Sequence, residues 1–185
     1  MNTLPTIWTI GHSTRSWLEF LELLNSASIT LVGDVRRFPA SRRYPHFNQS
    51  IMRDFLAADN IQYLSLPDLG GRRQERPNAP KTVWRNSAFR AYADYMQTAA
   101  FQHGIQQVMT IIQTERLALL CSEAVWWRCH RSLIADYLKA KGYPVIHILS
   151  PTRHDLHPYT SAARLVDGQL SYLPPADSVL SLALE

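Results

Sequence analysis

A short apolar strand that runs directly into a helix is the feature that most restricts how this chain can fold. Residues 117–120 are wholly apolar, as expected of a strand that is buried on both faces of a parallel sheet. From Arg128 onward the apolar period becomes that of a helix, whose stripe is formed by Leu133, Ile134, Tyr137 and Leu138. A strand that feeds a helix in this way is typical of α/β proteins with parallel sheets.

Further apolar runs of strand length occur at residues 6–10, 29–32, 61–66 and 145–149. Helical stripes separate these runs. Ser16 and Glu19 form a capping box before the first helix, and Asn48 stands where it can cap the second. We therefore predict a single-domain, three-layer α/β fold, with an open, mostly parallel five-stranded sheet and helices on both faces.

The composition is that of one ordinary globular domain, with 185 residues of which 46% are hydrophobic and 18% charged. The domain is predicted to span residues 1–165, and a C-terminal tail residues 166–185, with at most short local structure after Ser150. Because the apolar runs are too short to span a bilayer and no secretory signal pattern is present, we expect no membrane partner and a cytoplasmic location. Two cysteines make no disulfide framework, and a cytosolic pair is more often reduced.

Positive charge is concentrated in the middle of the chain. The net charge is +4, yet residues 36–90 carry ten arginines and Lys81 against four carboxylates, an excess of seven. Arginine suits planar, two-pronged recognition of phosphate or carboxylate. The pattern favours an anionic ligand, although a solvated basic face is the simpler alternative.

Polar clusters follow the predicted strands at the point where each strand ends. These clusters are Gly11 with His12 and Ser13, Asp34 with Arg36, Gly70 with Gly71 and Arg72, and Cys121 with Glu123. In an open α/β sheet the carboxyl ends of the strands share one rim, where ligands bind. We therefore expect the four clusters to converge on one site.

The segment between the fourth strand and its helix carries the densest chemistry. It holds two thiols, a carboxylate, an imidazole and two guanidiniums, at Cys121, Glu123, Arg128, Cys129, His130 and Arg131. Cations at a helix start oppose the helix dipole, which makes more sense if an anion is held among them. The alternatives are that Cys121 is simply a buried strand end and that the arginines pair with surface carboxylates.

A cysteine nucleophile is one chemistry that fits this segment. Cysteine phosphatases place a thiolate at a strand end and an arginine at the next helix, but Cys121 and Arg128 are one residue further apart than the Cys-x5-Arg signature of those enzymes. Nearby arginines would lower the pKa of a thiol, so Cys121 or Cys129 can be the nucleophile. Glu123 or His12 can then act as general acid or base.

Two cofactor chemistries fit less well, and the cofactor stays unknown. Cys121, Cys129, His130 and His12 are soft metal ligands, but the chain has no Cys-x2-Cys pair, and adjacent Cys129 and His130 are awkward for one ion, so no metal is predicted. A redox pair of Cys121 and Cys129 depends on a distance that the sequence does not give. A dinucleotide site would need a Gly-x-Gly-x-x-Gly turn after the first strand, where this chain has Gly11-His-Ser-Thr-Arg-Ser16.

The loop at residues 36–47 offers a function without catalysis. It interleaves basic and aromatic side chains, namely Arg36, Arg37, Arg42 and Arg43 with Phe38, Tyr44 and Phe47. Guanidiniums on phosphates and aromatic rings under bases are how single-stranded nucleic acid is held. The same loop is equally compatible with a lid over a small phosphorylated substrate, and Phe47 with a place in the core.

Taken together, these motifs resemble a known family. The blocks are Thr9-Ile-Gly-His-Ser13, Asp34-Val-Arg36 with Pro39-x-Ser41-Arg42, Leu69-Gly-Gly71, and Cys121-x-Glu123 followed by Cys129-His-Arg131. In this order they resemble domain-of-unknown-function family 488, and the similarity covers roughly residues 6–165. The resemblance implies a small α/β domain of bacterial or archaeal type. It implies no established activity, substrate or cofactor.

The sequence therefore leads to two hypotheses about function. The first is an enzyme, a cysteine-dependent hydrolase or transferase on a phosphorylated or nucleotide-like substrate, whose catalytic residues are Cys121, Glu123, Cys129 and His12. Its binding residues are predicted to be Gly11, Ser13, Asp34, Arg36, Ser41, Arg42, Gly70, Gly71, Arg128, His130 and Arg131. The second is a nucleic-acid-binding module that uses loop 36–47. Neither specifies an oligomeric state.

Overall fold

A computed structural model describes residues 4–175 of the chain as an α/β fold built on a six-stranded sheet. The strands are β1 (Ile7–Gly11), β2 (Leu31–Asp34), β3 (Gln62–Ser65), β4 (Leu117–Cys121), β5 (Val145–Ser150) and β6 (Arg153–Leu156). The helices are α1 (Trp17–Ser26), α2 (Gln49–Ala58), α3 (Ser87–Tyr95), α4 (Ala99–Ile111) and α5 (Arg131–Ala140). The prediction of a mostly parallel α/β sheet is confirmed.

The order of the strands brings the predicted polar clusters to one rim. The sheet runs β3-β2-β4-β1-β5-β6, and its first five strands are parallel. In the register of the central pair, Gly11 of β1 lies beside Cys121 of β4. Parallel strands end at the same edge of the sheet, so the residues after β1, β2 and β4 meet there.

The sequence analysis predicted one strand too few. The sixth strand, β6, pairs antiparallel with β5 after a turn at residues 151–152. It was missed because it is short, polar and at the edge of the sheet, where charged side chains are favoured and apolar alternation disappears.

Apolar side chains on both faces of the sheet pack under helices and make the three layers. On one face, Ile10, Val32 and Leu120 contact residues of α1 and α2. On the other face, Leu117 and Leu119 belong to the core that α3, α4 and α5 complete. Strands buried on both faces explain why the sequence of β4 is apolar throughout.

Local signals fix the beginnings of the helices. The predicted capping box is present at α1, where Ser16 accepts a hydrogen bond from the Glu19 amide and Glu19 accepts one from the Ser16 amide. Asn48 holds the N-cap position of α2, but its side chain makes no cap bond. Its Oδ1 instead accepts a hydrogen bond of 2.5 Å from the Ser41 amide, so it fastens the loop that follows β2.

The chain after Ser150 has more structure than the sequence analysis expected. Two strands, β7 (Arg164–Val166) and β8 (Gln169–Ser171), form a hairpin. The buried Tyr172 that follows donates a hydrogen bond of 2.8 Å to Asp136 of α5. The boundary between residues 1–165 and a tail at 166–185 stays a prediction, and residues 176–185 lie outside the described part.

Candidate functional site

A cavity of about 530 Å³ opens at the carboxyl ends of β1, β2 and β4. Its lining includes ten of the fifteen predicted site residues, namely His12, Ser13, Arg36, Ser41, Gly71, Cys121, Glu123, Arg128, Cys129 and His130. The other five, Gly11, Asp34, Arg42, Gly70 and Arg131, do not line it. Segments that are far apart in the chain therefore meet at one hollow.

Two thiols and an imidazole lie together in this cavity. Cys121 ends β4, while Cys129 and His130 precede α5, and both cysteines are buried and free. The Nδ1 atom of His130 lies 3.8 Å from the Cys121 sulfur and 3.6 Å from the Cys129 sulfur. Its Nε2–H donates to the Val35 carbonyl at 3.0 Å. Because a carbonyl only accepts, the neutral ring carries its proton on Nε2 and presents an unprotonated Nδ1 to both thiols.

The two thiols differ in acidity. A hydrogen bond from Cys129 lowers the pKa of the Cys121 thiol well below its ordinary value, and His130 and Arg131 lower it further, against the effect of burial. Burial, and then Cys121, raises the pKa of Cys129. The coupled pair thus gives up its first proton from Cys121, while Cys129 keeps its own proton and donates a hydrogen bond to the thiolate so formed.

Arg131 is a buried cation beside the thiols. Only 1% of the residue is exposed, and its Nη atoms donate to the carbonyls of Ile10 at 2.7 Å and Ala124 at 2.9 Å. Its Nε has no partner, and among residues 4–175 no carboxylate forms an ion pair with it. A buried charge without a counter-ion is costly, so the guanidinium favours an anion nearby.

Two glycines permit the close packing around Arg131 and His130. A Cβ at Gly11 would overlap the Glu123 carbonyl oxygen and lie 2.7 Å from Nη1 of Arg131. A Cβ at Gly71 would lie 2.7 Å from Nδ1 of His130. Both positions therefore need the absence of a side chain, since a methyl group would displace the reactive groups.

Asp34, Arg36 and His12 form a second, self-contained network. Arg36 donates to the Asp34 carboxylate, at 2.6 Å in the shortest contact, to the Phe47 carbonyl at 2.9 Å, and lies 3.2 Å from Nε2 of His12. Tyr63 also donates to Asp34, at 2.7 Å. The donors of Arg36 are thus engaged within the protein, which leaves it little capacity to hold an outside anion.

The ring of His12 is engaged on both sides. Its Nδ1–H donates to the Ser13 carbonyl at 2.9 Å, and its Nε2 accepts from Arg36. Burial, assisted by the positive charge of Arg36, lowers the pKa of His12 to about 4. The ring, which also stacks on Phe47 at 4.2 Å, is therefore neutral near pH 7 and has no free nitrogen for proton transfer.

The mouth of the cavity is cationic. Arg37, Arg72 and Arg128 are exposed there, and none of them is in an ion pair within the described part of the chain. Glu123 is the one exposed carboxylate in the lining. The exposed charges therefore favour a negatively charged ligand.

The lining also contains residues that were not in the predicted site. Arg37, Phe38 and Tyr44 were predicted only as parts of a nucleic-acid-binding loop or a lid, and Arg72 only as part of the polar cluster after the third strand. Thr14, Ser122, Phe89 and Tyr92 carried no signal, because short polar residues in turns and aromatic residues at helical spacing are ordinary. Tyr92 shows why: its buried ring belongs to the core and also lies 4.9 Å from that of His130.

Comparison with known proteins gives one match. Neither the curated proteins nor the solved structures contain a significant relative. The family model described as Domain of unknown function DUF488 matches residues 16–138, about two thirds of the chain. The match includes the blocks at Asp34, Gly71 and Cys121–Arg131, and it begins after Gly11 and His12. On this match, and in agreement with the resemblance seen in its motifs, the chain belongs to the DUF488 family.

Proposed function

We propose that this protein is an enzyme that uses the Cys121 thiol as a nucleophile on a small anionic substrate, phosphorylated or nucleotide-like. One observation carries the proposal: the buried Cys121 sulfur faces the unprotonated Nδ1 of His130, beside the buried Arg131, which has no carboxylate partner among residues 4–175. A nucleophile, a base beside it and a group that orients the base are the parts that covalent catalysis requires. Here the Val35 carbonyl orients the base.

The reaction follows from these positions. Nδ1 of His130 accepts the proton of Cys121, and the thiolate electron pair forms a bond to the electrophilic phosphorus. The bond from phosphorus to the leaving oxygen breaks, and that oxygen takes the proton from His130. Water, or the hydroxyl of a second substrate, then gives its proton to His130 and cleaves the sulfur–phosphorus bond, which makes the enzyme a hydrolase or a transferase. Cys129 donates its S–H to the Cys121 thiolate before the attack and again after the cleavage.

The cavity suggests the class of substrate. Its volume of about 530 Å³ is that of a small-molecule site. Arg37, Arg72 and Arg128 offer guanidiniums to phosphate oxygens, and Phe38 and Phe89 offer rings to a base or another flat group. A nucleotide or a similar phosphorylated compound combines both features.

The remaining predicted residues receive different roles in this proposal. Glu123 is exposed at the mouth and can exchange protons with solvent, while Arg128 binds the anion. His12, Asp34 and Arg36 position the loop that follows β2 and take no part in proton transfer. Because both thiols are free, we place the enzyme in a reducing compartment, the cytoplasm.

Phosphate release from a panel of nucleotides and sugar phosphates tests the proposal. On the substrate that is turned over, Cys121→Ser should lower kcat by at least about a thousandfold. Cys129→Ser and Glu123→Gln should lower it less, and Arg128→Gln should act mainly on KM. Full activity of the Cys121→Ser, Cys129→Ser and Glu123→Gln variants on an identified substrate would refute a catalytic role for this group.

A second candidate, binding of single-stranded nucleic acid, rests on the loop after β2. Phe38 is 63% exposed, and the guanidinium of Arg37 lies 5.5 Å from its ring. An exposed ring next to exposed arginines is the combination that holds unstacked bases. Binding of an oligonucleotide should then weaken steeply with salt and fall on Phe38→Ala, with Cys121→Ser unchanged. Binding that is insensitive to salt and to Phe38→Ala would contradict this candidate and favour the enzyme.

A further inference from the structure

The cysteine–histidine group has the geometry of a zinc site. The sulfur atoms of Cys121 and Cys129 and Nδ1 of His130 all lie within 4.8 Å of one another. The two sulfur–nitrogen separations are 3.8 and 3.6 Å. A tetrahedral zinc ion with bonds of about 2.3 Å to sulfur and about 2.1 Å to nitrogen separates those atoms by about 3.6 Å. A movement of about an ångström or less would therefore bring the three atoms onto one ion.

The hydrogen bond made by the other ring nitrogen of His130 independently supports a metal site. Histidines that bind metals usually donate their other ring N–H to a carboxylate or a backbone carbonyl, which fixes the tautomer and the orientation of the ring. Nε2–H of His130 donates to the Val35 carbonyl at 3.0 Å. Nδ1 is thus left as a lone-pair donor that points at the two sulfurs.

Adjacent ligands are not an obstacle here, although the sequence suggested that they would be. Cys129 is extended, with φ −129° and ψ 145°, and His130 is helical, with φ −55° and ψ −18°. The change of backbone conformation between the two residues turns both side chains to the same side. Their ligand atoms consequently face each other instead of pointing apart.

We propose that Cys121, Cys129 and His130 bind one Zn²⁺ ion and leave its fourth position open to the cavity. Two thiolates neutralise the charge of the ion, and Arg131 then remains as a buried cation without a carboxylate partner within residues 4–175. An anionic fourth ligand, such as hydroxide, chloride or an oxygen of the substrate, balances that charge. The open position and the cationic mouth therefore select for the same kind of ligand.

This site does not depend on the proposed enzymatic activity, although it uses the same side chains. With zinc bound, the Cys121 sulfur shares an electron pair with the ion and Nδ1 of His130 is no longer free to accept a proton, so binding of the metal competes with the nucleophilic state. Each state has its own measurement, namely binding of the metal alone and alkylation of the metal-free protein.

Cobalt and zinc titrations of the full chain, reduced and freed of metal with a chelator, test the site. One Co²⁺ ion should bind per chain. It should give sulfur-to-cobalt charge-transfer absorption together with the strong visible bands of a tetrahedral site, and Zn²⁺ should displace it. Cys121→Ser, Cys129→Ser and His130→Gln should each weaken zinc binding by at least about a hundredfold, the upper end of what outer-shell changes cause. His103→Gln is the matched control, because His103 is exposed and pairs with Asp68 far from the thiols in sequence.

The results separate the two proposals. Absence of charge-transfer absorption, or unchanged zinc affinity in a folded His130→Gln variant, would overturn the metal site. If the metal-free protein nevertheless reacts rapidly with iodoacetamide at Cys121, the nucleophile proposal survives that failure. Conversely, tight zinc binding would support the metal site. Slow alkylation of Cys121 in the metal-free protein, together with no turnover, would reject the nucleophile.

Discussion

The reactivity of Cys121 depends on charges that are one or two side chains away. Arg131 is held by the carbonyls of Ile10 and Ala124, and its positive charge lowers the pKa of the Cys121 thiol. This makes Arg131 a positioned electrostatic group, whereas the sequence analysis predicted a residue that binds the substrate directly. The difference can be tested because Arg131, which lies outside the cavity lining, should change the acidity of the thiol more than the affinity for an anion.

Replacement of Arg131 by Met should raise the pKa of Cys121, since it removes a nearby positive charge that favours the thiolate. The pH dependence of the iodoacetamide reaction, in metal-free protein, measures this midpoint. Arg153→Met is the control, because Arg153 is exposed and pairs with Asp155 at the edge of the sheet. An unchanged midpoint in a folded Arg131→Met variant would show that the guanidinium does not act on the thiol.

Gly71 permits the position of the His130 ring. Its backbone is not in the left-handed region, so an alanine here strains no dihedral angle, and the three atoms nearest to the added Cβ all belong to that ring. We expect Gly71→Ala to slow alkylation of Cys121 about tenfold while lowering stability by no more than about 1 kcal/mol. In a His130→Gln background, Gly71→Ala should slow the alkylation of Cys121 much less. If it slowed alkylation equally in both backgrounds, the contact between Gly71 and the His130 ring would be contradicted.

At the scale of elements, helix α5 is anchored by the segment that follows the sheet. Asp136 of α5 accepts hydrogen bonds from His157 at 3.1 Å, Thr160 at 2.6 Å and Tyr172 at 2.8 Å. His157 continues the chain of bonds to His147 at 2.8 Å. Because α5 begins with Arg131 and follows Cys129, this network also supports the reactive segment.

Loss of the Tyr172 hydroxyl should weaken this anchor. Tyr172→Phe removes a hydrogen bond to a buried carboxylate, and we expect the free energy of unfolding to fall by about 1.5–3 kcal/mol. Urea denaturation measures the change. Tyr143→Phe is the control, since the Tyr143 hydroxyl has no hydrogen-bond partner among residues 4–175, and this variant should stay within about 0.5 kcal/mol of the unmodified chain. Equal effects of the two substitutions would contradict the anchor.

The sequence predicts those elements whose signal lies within the element itself. Three elements can be identified without tertiary information. They are β4 by its apolar run, α1 by the capping box at Ser16, and α5 by its apolar stripe. The polar strand β6 and the β7–β8 hairpin have no such period, because their side chains lie at an edge or on the surface. Their pairing depends on neighbours that are distant in the sequence.

The candidate site could be predicted in its residue types and in its place at the rim, but not in its internal pairing. Cys121, Cys129 and His130 follow from the strand–turn–helix pattern. The engagement of Arg36 by Asp34, and of Arg131 by two backbone carbonyls, depends on how far the loops fold back. A guanidinium in the sequence does not reveal whether its donors are free, which is why the two arginines were predicted to bind an anion.

At the scale of the whole molecule, the site is assembled from more of the chain than the family match covers. The match spans residues 16–138, whereas β1 supplies Gly11 and the turn after it supplies His12. The strands after residue 138 complete the sheet beside β1. Within residues 4–175 no helix is long and apolar enough to cross a membrane. The rim therefore forms only when the complete sheet is folded. Any influence that destabilises the sheet should also disrupt the site.

Acid is such an influence, because the fold buries two neutral histidines. Burial, with Arg36, lowers the pKa of His12 to about 4, and burial, with His157, lowers that of His147 to about 2. The unfolded chain binds these protons near pH 6.5, so below that pH it holds more protons than the folded chain, and stability falls as the pH falls. We expect a loss of about 2–4 kcal/mol between pH 7 and pH 5, measured by urea denaturation at each pH. His147→Gln should reduce this slope by about half, whatever its effect at pH 7, while His103→Gln, on the exposed surface, should leave it unchanged. An unaltered slope in His147→Gln would mean that the folded protein already takes up this proton.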